Sequence, residues 1–443
     1  MILRPYQRTI IENVRSAYAE GHAGVILQLM TGAGKTFTAL QMTTSVPQGQ
    51  GQILIIVHRH ELVSQWRQEA KKLGIQAGVV NAQGERFNPA PWAQIQICMV
   101  QTLARRIKNG KDPFRHTTVG WIIVDECHLA TSNSYLRIYE QYPLAKRMGL
   151  TATPDRLDGR GFPWASSMKL GPKYHDLQKQ GALVPFTTYT IDKLNYSGLR
   201  KTFGDYTAAS QAQQFETQPL VGNVVETYLK HAKGRTGITF ATTRSHAKKL
   251  HKEFLKNGIN SEYLDGATPG PLREHIIRSL SEGKLQQLIN VDVCIEGLNI
   301  PRVSVVSIAR ATCSITRWRQ MAGRALRPAP NKTDAIILDH GGNALRHGNL
   351  DYDHAWSLKP TKAASKNKEQ IARAKNCPDC AGVMPIGTPT CSICGCDLSP
   401  KERQPKARAG ELKQLKSSSA PVKQKRKSSK DKEKEMAQWL TYL

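Results

Sequence analysis

The stretch Met30-Thr31-Gly32-Ala33-Gly34-Lys35-Thr36 constrains this chain more than any other. The apolar run Val25 to Leu29 leads into it as a strand, and Phe37 to Met42 reads as the helix that follows. A glycine turn between strand and helix, closed by Lys-Thr, is a P-loop. Its backbone N–H groups bend inward and the helix N-terminus adds a positive end, so Thr31, Gly32, Ala33 and Gly34 cradle a triphosphate. Lys35 is placed for the β- and γ-phosphates, and the Thr36 hydroxyl for Mg²⁺. The first glycine of the general G-x-x-x-x-G-K-[ST] pattern falls on Leu29, so the match is partial. A turn that merely ends a strand is the alternative, and Lys-Thr at the helix start argues against it. The motif specifies a nucleoside triphosphate and leaves open what the nucleotide drives.

At 443 residues the chain can bury more than one core, which predicts two to three domains. Its formal net charge of +28 favours a polyanion partner, because each neutralised phosphate releases counterions. No apolar run reaches the length of a transmembrane helix and the first residues lack a signal-peptide layout, so the expectation is a cytoplasmic protein without a membrane partner. Of nine cysteines, five fall between Cys377 and Cys396, which points to metal binding rather than disulfides.

One predicted helix ahead of the P-loop stands Gln7, whose amide can pair with adenine. Gln52 to Val57 reads as a buried strand, followed by Arg59 at the start of a helix with apolar spacing Leu62, Val63, Trp66, Ala70. Arg59 is a candidate contact for a nucleic-acid phosphate, with a solvated surface arginine as the plain alternative. After the strand Ile95 to Val100, Thr102 is predicted at a helix N-cap, where its hydroxyl and free N–H groups would take another phosphate. The strand Trp121 to Val124 delivers Asp125-Glu126-Cys127-His128. Asp125 is the candidate Mg²⁺ holder and Glu126 the residue that orients and deprotonates the attacking water. Met148 to Pro154 reads as a strand ending in Thr151 and Thr153, closing the first domain.

In order and spacing, Gln7, Thr31 to Thr36, Asp125 to His128 and Thr151-Ala152-Thr153 resemble the first RecA-like half of a superfamily 2 DEAD/DEAH-box helicase. The resemblance implies a second half. Residues 156–217 carry no clear strand–helix rhythm and read as a connector and small arm; from Leu220 onward strands and helices alternate again, which predicts a second parallel sheet. Near its end, Gln320, Arg324 and Arg327 fall on one face if the segment is helical, and two such arginines reach across a cleft to a γ-phosphate. The segment resembles the helicase Q-x-x-G-R-x-x-R pattern. Family resemblance further implies that His128, Thr151, Thr153, Asp292 and Gly297 couple ATP to the bound strand; Asn299 departs from the Asp of many relatives. Asp339 to Gly348 and Gly204-Asp205-Tyr206 resemble the RadD-like group of bacterial and prophage helicases, which implies a bacterial or phage-infected cell and a role in DNA repair, recombination or phage replication.

Cys377-Pro-Asp-Cys380 and Cys391-Ser-Ile-Cys394 are two C-x-x-C knuckles separated by ten residues, a spacing that closes a tetrahedral thiolate site on structural Zn²⁺; Cys396 is the competing fourth ligand. Beyond it the tail is basic, with the cluster 423–427 and an apolar stripe of Met436, Trp439, Leu440 and Leu443. The expected α/β layout is two RecA-like parallel-sheet P-loop domains (1–155 and 218–348), a connector (156–217), a linker (349–376), a zinc ribbon (377–398) and a tail (399–443). The expected activity is ATP-dependent translocation or unwinding of DNA, with replication or repair proteins meeting the tail. RNA unwinding, the motor of a restriction system and a non-catalytic ATP-gated clamp are the alternatives.

Overall fold

The computed structural model describes residues 3–399 apart from 83–87, 89, 131, 157, 192–195, 197, 203, 217, 296 and 361–373, and only the backbone of 214 and 218–222. Glu296, the 423–427 cluster and the apolar stripe of the tail lie outside the described residues.

The first domain is a parallel sheet of seven strands: β1 (Gly24–Gln28), β2 (Gln52–Val57), β3 (Ala77–Val80), β4 (Ile95–Met99), β5 (Val119–Asp125), β6 (Lys146–Thr151) and β7 (Ser167–Leu170). Their spatial order is β3-β4-β2-β5-β6-β1-β7. Helices α1 (Pro5–Ala19), α2 (Lys35–Thr43), α3 (His60–Lys72), α4 (Val100–Lys108) and α5 (Asn133–Gln141) form the crossovers and covers. Strands covered on both faces are largely apolar, and β1 and β4 are buried at every position, each with one buried glutamine, Gln28 and Gln96. Helix α1 starts at Pro5, where the missing N–H costs nothing, and buries Ile10, Ile11 and Val14, each contributing roughly 1.5–3 kcal/mol.

The second sheet has the order β12-β13-β11-β14-β15-β8, and every neighbouring pair is parallel. Its strands are β8 (Phe186–Thr190), β11 (Gly237–Phe240), β12 (Ser261–Leu264), β13 (Gln287–Asn290), β14 (Val305–Ile308) and β15 (Ala335–Asp339). Between β8 and β11 lie a short hairpin, β9 (Lys201–Thr202) and β10 (Asp205–Tyr206), and helices α7 (Ala208–Phe215) and α8 (Gln218–Ala232). Helices α9 (Arg244–Lys256), α10 (Gly270–Glu282), α11 (Ile315–Ala322) and α12 (Asn343–His347) complete the domain.

The stretch 156–217, expected to lack regular rhythm, supplies an edge strand to each sheet. β7 pairs with β1 and β8 with β15, and α6 (Tyr174–Lys179) lies between them. A hairpin of β16 (Ala374–Asn376) and β17 (Val383–Pro385) then carries the cysteine knuckles and docks on β8, through a bridge between Tyr189 and Gly382 and an Asn376 Nδ2 bond to the Thr190 carbonyl at 3.2 Å. Among the described residues no helix is long and apolar enough to cross a membrane.

Candidate active site

The P-loop keeps its shape through glycine and through α1. Gly32 and Gly34 have φ of +91° and +81°, a region costly for other residues. A Cβ on Gly34 would also stand 2.7 Å from Gln7 Nε2. Gln7 is buried; its oxygen accepts from the Arg4 N–H at 3.0 Å and its nitrogen donates to Thr38 Oγ1 at 3.2 Å. Tyr6, not singled out from the sequence, donates to the Ala33 carbonyl at 2.9 Å. Both residues brace the loop from one turn of α1. Thr36 is half-buried at the second position of α2, beside Lys35.

The acid pair ends β5, three strands from the outer edge and next to β6. Asp125 and Glu126 are both buried, and Glu126 adopts φ +48°, which turns its carboxylate toward the P-loop. Lys35 Nζ lies 3.8 Å from Glu126 Oε1, and His128 Nδ1 lies 3.5 Å from Oε2. Asp125 accepts from the indole N–H of Trp66 at 2.8 Å and from the Glu126 amide at 3.0 Å. Burial first, then the Glu126 charge, push Asp125 up to about 6, against the pull of Lys35 and the two donors. Trp66 was legible only as a core residue; the one available signal was that a fully buried indole N–H needs an acceptor.

From His128, in charge contact with Glu126, a line of hydrogen bonds runs to the second domain. His128 Nδ1 meets Thr151 Oγ1 at 3.2 Å, and Thr151 Oγ1 both donates to the Thr153 carbonyl and accepts from the Thr153 N–H, each at 3.1 Å. Thr153 Oγ1 then donates to Thr316 Oγ1 of α11 at 2.9 Å. Thr316 is a further site residue missed from the sequence. Three more contacts cross the cleft: Arg59 donates to the Asp292 carbonyl at 3.1 Å, Arg273 pairs with Glu61 at 2.5 Å, and Gly297 packs against Glu61 and Leu62. Asp292 has φ +58° and its carboxylate meets Arg310 at 2.5 Å.

The arginine segment departs from expectation. Helix α11 ends at Ala322 and a 3₁₀ turn covers Gly323–Ala325, so Gln320, Arg324 and Arg327 do not share one helical face. A Cβ on Gly323 would stand 2.8 Å from Thr31 Cβ, so glycine is needed where this turn touches the P-loop. Arg324 is buried and donates to the carbonyls of Ile295 and Leu298. Arg327 donates to Leu298 at 3.1 Å and passes its stem over Gly32, at 3.3 Å from where a Cβ would stand. Desolvation, then Arg324, lower the Arg327 pKa. Gln320 is buried, with its amide nitrogen lacking a hydrogen-bond partner among the described residues. Thr102 is corrected too: Met99 caps α4, and Thr102 is the buried third residue of that helix.

In the ribbon, the Sγ atoms of Cys377, Cys380, Cys391 and Cys394 lie within 4.8 Å of one another, while Cys396 stands outside that group. The two knuckles have the same turn. Ala381 (φ +58°) donates to the Cys377 carbonyl at 3.0 Å, and Gly395 (φ +76°) to the Cys391 carbonyl at 2.9 Å. Knuckle amides, led by that of Cys380, draw the Cys377 thiol down to about 6.

Residues 1–156 match a family model described as type III restriction enzyme, res subunit, and residues 221–329 one described as helicase conserved C-terminal domain. A 51.5 kDa protein of a Lactococcus phage (isolate 7-9) is 30% identical over 385 residues, spanning 86% of this chain and 80% of the phage protein. The chain belongs to the superfamily 2 DEAD/DEAH-type helicases. Another relative, the DNA 3'-5' translocase XPB2 of Sulfurisphaera tokodaii, is 24% identical over 391 residues, 79% of this chain and 83% of that protein. Among solved structures, the ATP-dependent Type ISP restriction-modification enzyme LlaBIII bound to DNA shares the fold at TM-score 0.57 and 16% identity, over 79% of this chain but 29% of that one. The helicase spans 52% and 65% of the length of two yeast relatives.

Proposed function

We propose that this helicase is an ATP-driven motor on DNA, translocating along a single strand or opening a forked duplex. The carrying observation is the line from Lys35 and Glu126 through His128, Thr151 and Thr153 to Thr316, which joins the groups that would act on ATP to the opposite domain. Thr31 to Thr36 would hold the phosphates, with Gln7 bracing the loop and keeping one N–H and one lone pair for adenine. Thr36 and Asp125 offer a hydroxyl and a carboxylate, the hard oxygen donors Mg²⁺ takes, and the bound ion would offset phosphate charge. Glu126 would orient the attacking water and accept its proton. Arg327, whose stem crosses Gly32, fits the arginine-finger role; Arg324, tied to two carbonyls, fits an anchor for the 295–298 loop. Gln320 would support that segment. The strand would lie across Arg59 and the Asp292–Gly297 loop, which meet at the cleft; the buried Thr102 would act only through the start of α4. Phosphate contacts predominate in such a path, so sequence preference is expected to be low.

The four thiols fit Zn²⁺ in number and spacing, and zinc would supply the folding energy that so small a ribbon lacks. Relatives named as a DNA translocase and a DNA-bound enzyme favour DNA over RNA, and a place in repair or phage replication follows from the RadD-like segments. The test is ATP turnover with no nucleic acid, single-stranded DNA, forked DNA and RNA at one salt concentration, with Lys35→Ala as the inactive control. Stimulation by DNA alone supports the reading. Stimulation mainly by RNA moves the motor to that substrate, and absence of turnover in every arm overturns it.

A further inference from the structure

The groove at the outer edge of the first sheet carries an unusual investment. Strand β3 ends the sheet there, and between β3 and β4 the turn Ala90–Ala93 holds Trp92 out to solvent, 72% exposed. The turn is not loose. Gln96, fully buried in β4, donates to the carbonyls of Ala90 and Ala93 at 3.1 and 2.8 Å, while the Ala93 N–H bonds back to Ala90 at 3.1 Å. A buried amide spent on bracing the turn that carries an exposed indole is not explained by packing of the core.

Trp92 faces α3 across a cavity of about 460 Å³ whose helical wall is Ser64, Arg67, Gln68 and Lys71. These four recur at spacings of three, one and three, so they form one exposed stripe. Arg67 and Lys71 make no ion pair among the described residues, whereas Lys72, on the flank of the same helix, pairs with Glu69 at 2.7 Å. The groove therefore presents two uncompensated cations, two uncharged hydrogen-bonding side chains and one exposed indole on a braced turn. That combination fits a nucleic-acid strand: phosphates on the cations, a base on the indole. It also continues from the cleft. Arg59, the cap of helix α3, and Glu61 in its first turn touch Asp292, Arg273 and Gly297 of the second domain, and from Arg59 to Lys71 the chain runs about 18 Å at 1.5 Å per residue.

We propose that Trp92, Arg67 and Lys71 form a second strand-binding track, which takes single-stranded nucleic acid beyond the segment held in the cleft. The proposal rests on the nucleic-acid motor reading, and the test separates the two. Binding of a long and a short single-stranded oligonucleotide, the short one sized to the cleft alone, is measured across a salt series for the full chain, Trp92→Ala and Arg67→Ala/Lys71→Ala. ATP turnover at saturating strand is measured beside it. All three side chains are exposed, and the native thermal midpoint of each variant checks folding. Trp92→Ala should weaken the long strand about fivefold or more, the loss of one base stack. The double variant should lower the salt slope for the long strand by about 1.4, from two lost phosphate contacts. Short-strand affinity and turnover at saturation should stay as in the wild type. Wild-type turnover that DNA stimulates, with unchanged long-strand affinity and slope in both variants, overturns the track while leaving the motor intact. A wild type that binds neither strand overturns the motor reading itself, and a groove that serves an acidic protein instead would give that same unchanged strand binding in the variants.

Discussion

The bond between Thr153 and Thr316 gives the sharpest test of how the cleft works. Both side chains are buried, at 0% and 5% exposure, and the 2.9 Å contact joins the end of the first sheet to α11. Replacing either Thr by Val keeps the shape but strands the partner hydroxyl in the contact, where a desolvated, unpaired group costs about 1–3 kcal/mol. The cost falls on the closed arrangement, because an open cleft returns the hydroxyl to water. Closed-to-open ratios should therefore fall about 5- to 150-fold in each single variant, and DNA-stimulated turnover with them. The Thr151 line survives, since Thr151 bonds the main chain of Thr153 and not its hydroxyl. In Thr153→Val/Thr316→Val no polar group is left behind, and two methyl groups meet instead. Turnover should recover to within several-fold of wild type. The assay is steady-state ATP hydrolysis at saturating single-stranded DNA, read as a double-mutant cycle. Losses that simply multiply in the double variant would refute the argument that this pair closes the cleft.

Trp66→Phe keeps the ring in the core but removes the N–H that Asp125 accepts; turnover number should drop about tenfold or more with the nucleotide KM little changed, and an unchanged turnover number would remove Trp66 from the site. In the ribbon, Ala381 holds the left-handed conformation that glycine takes at Gly395, so Ala381→Gly should stabilise the folded ribbon by about 1 kcal/mol, seen as zinc loss to a chelator slowed about fivefold. Burial lowers His246 and His340 to about 4, while burial raises Asp339 to about 6. Between those values the unfolded chain binds two protons at the histidines that the native state refuses, and the native state holds two, at Asp339 and at Asp125, that the unfolded chain releases. These contributions cancel, so stability should stay nearly level as pH drops from 6 toward 4. His340→Gln removes one proton bound only by the unfolded chain, so the stability of that variant should rise by about 1.4 kcal/mol per unit as pH drops over the range, and thermal midpoints of the two proteins check it.

What the residues disclosed in advance is what local chemistry dictates. A glycine turn with Lys-Thr, an acid pair at the tip of an apolar strand, and two knuckles ten residues apart each fix their own geometry, and the structure brings Lys35 to Glu126 and four thiols together. What stayed hidden depends on distant neighbours. Trp66 sits on the apolar stripe of α3 whether or not an aspartate waits beyond it, so helical spacing alone cannot separate core from site. The helical period expected through Gln320, Arg324 and Arg327 gives way to a 3₁₀ turn where Gly323 meets Thr31, a residue almost three hundred positions away. Strands β7 and β8 escaped notice because they are short edges: β7 is only partly buried along its length and β8 is Phe-Thr-Thr-Tyr-Thr, so neither shows the long apolar run of the central strands.

Those two edges matter for motion, because they fix both ends of the first crossing between the domains. The segment 171–185 starts from β7 in one sheet and enters β8 in the other, and on the way Leu183 lies against Gly32 while the Val184 N–H bonds the Leu326 carbonyl at 2.9 Å. A second crossing returns after α12. Trp318 donates to the Gly348 carbonyl at 3.1 Å, Arg319 donates to those of Leu350 and Tyr352, and the Leu358 carbonyl accepts from Phe162 of the first domain at 3.0 Å. The two tethers thus grip the chain on either side of Gly323, one at Leu326 and the other at Trp318 and Arg319. A rotation that opens the cleft must bend both tethers together. Arg327 would then leave Gly32 as part of that whole segment, not by a swing of its own side chain, and the 295–298 loop bonded to Arg324 would travel with it. One rigid piece would carry both the charge placed beside the P-loop and the loop that meets α3, so nucleotide state and strand grip change in a single movement.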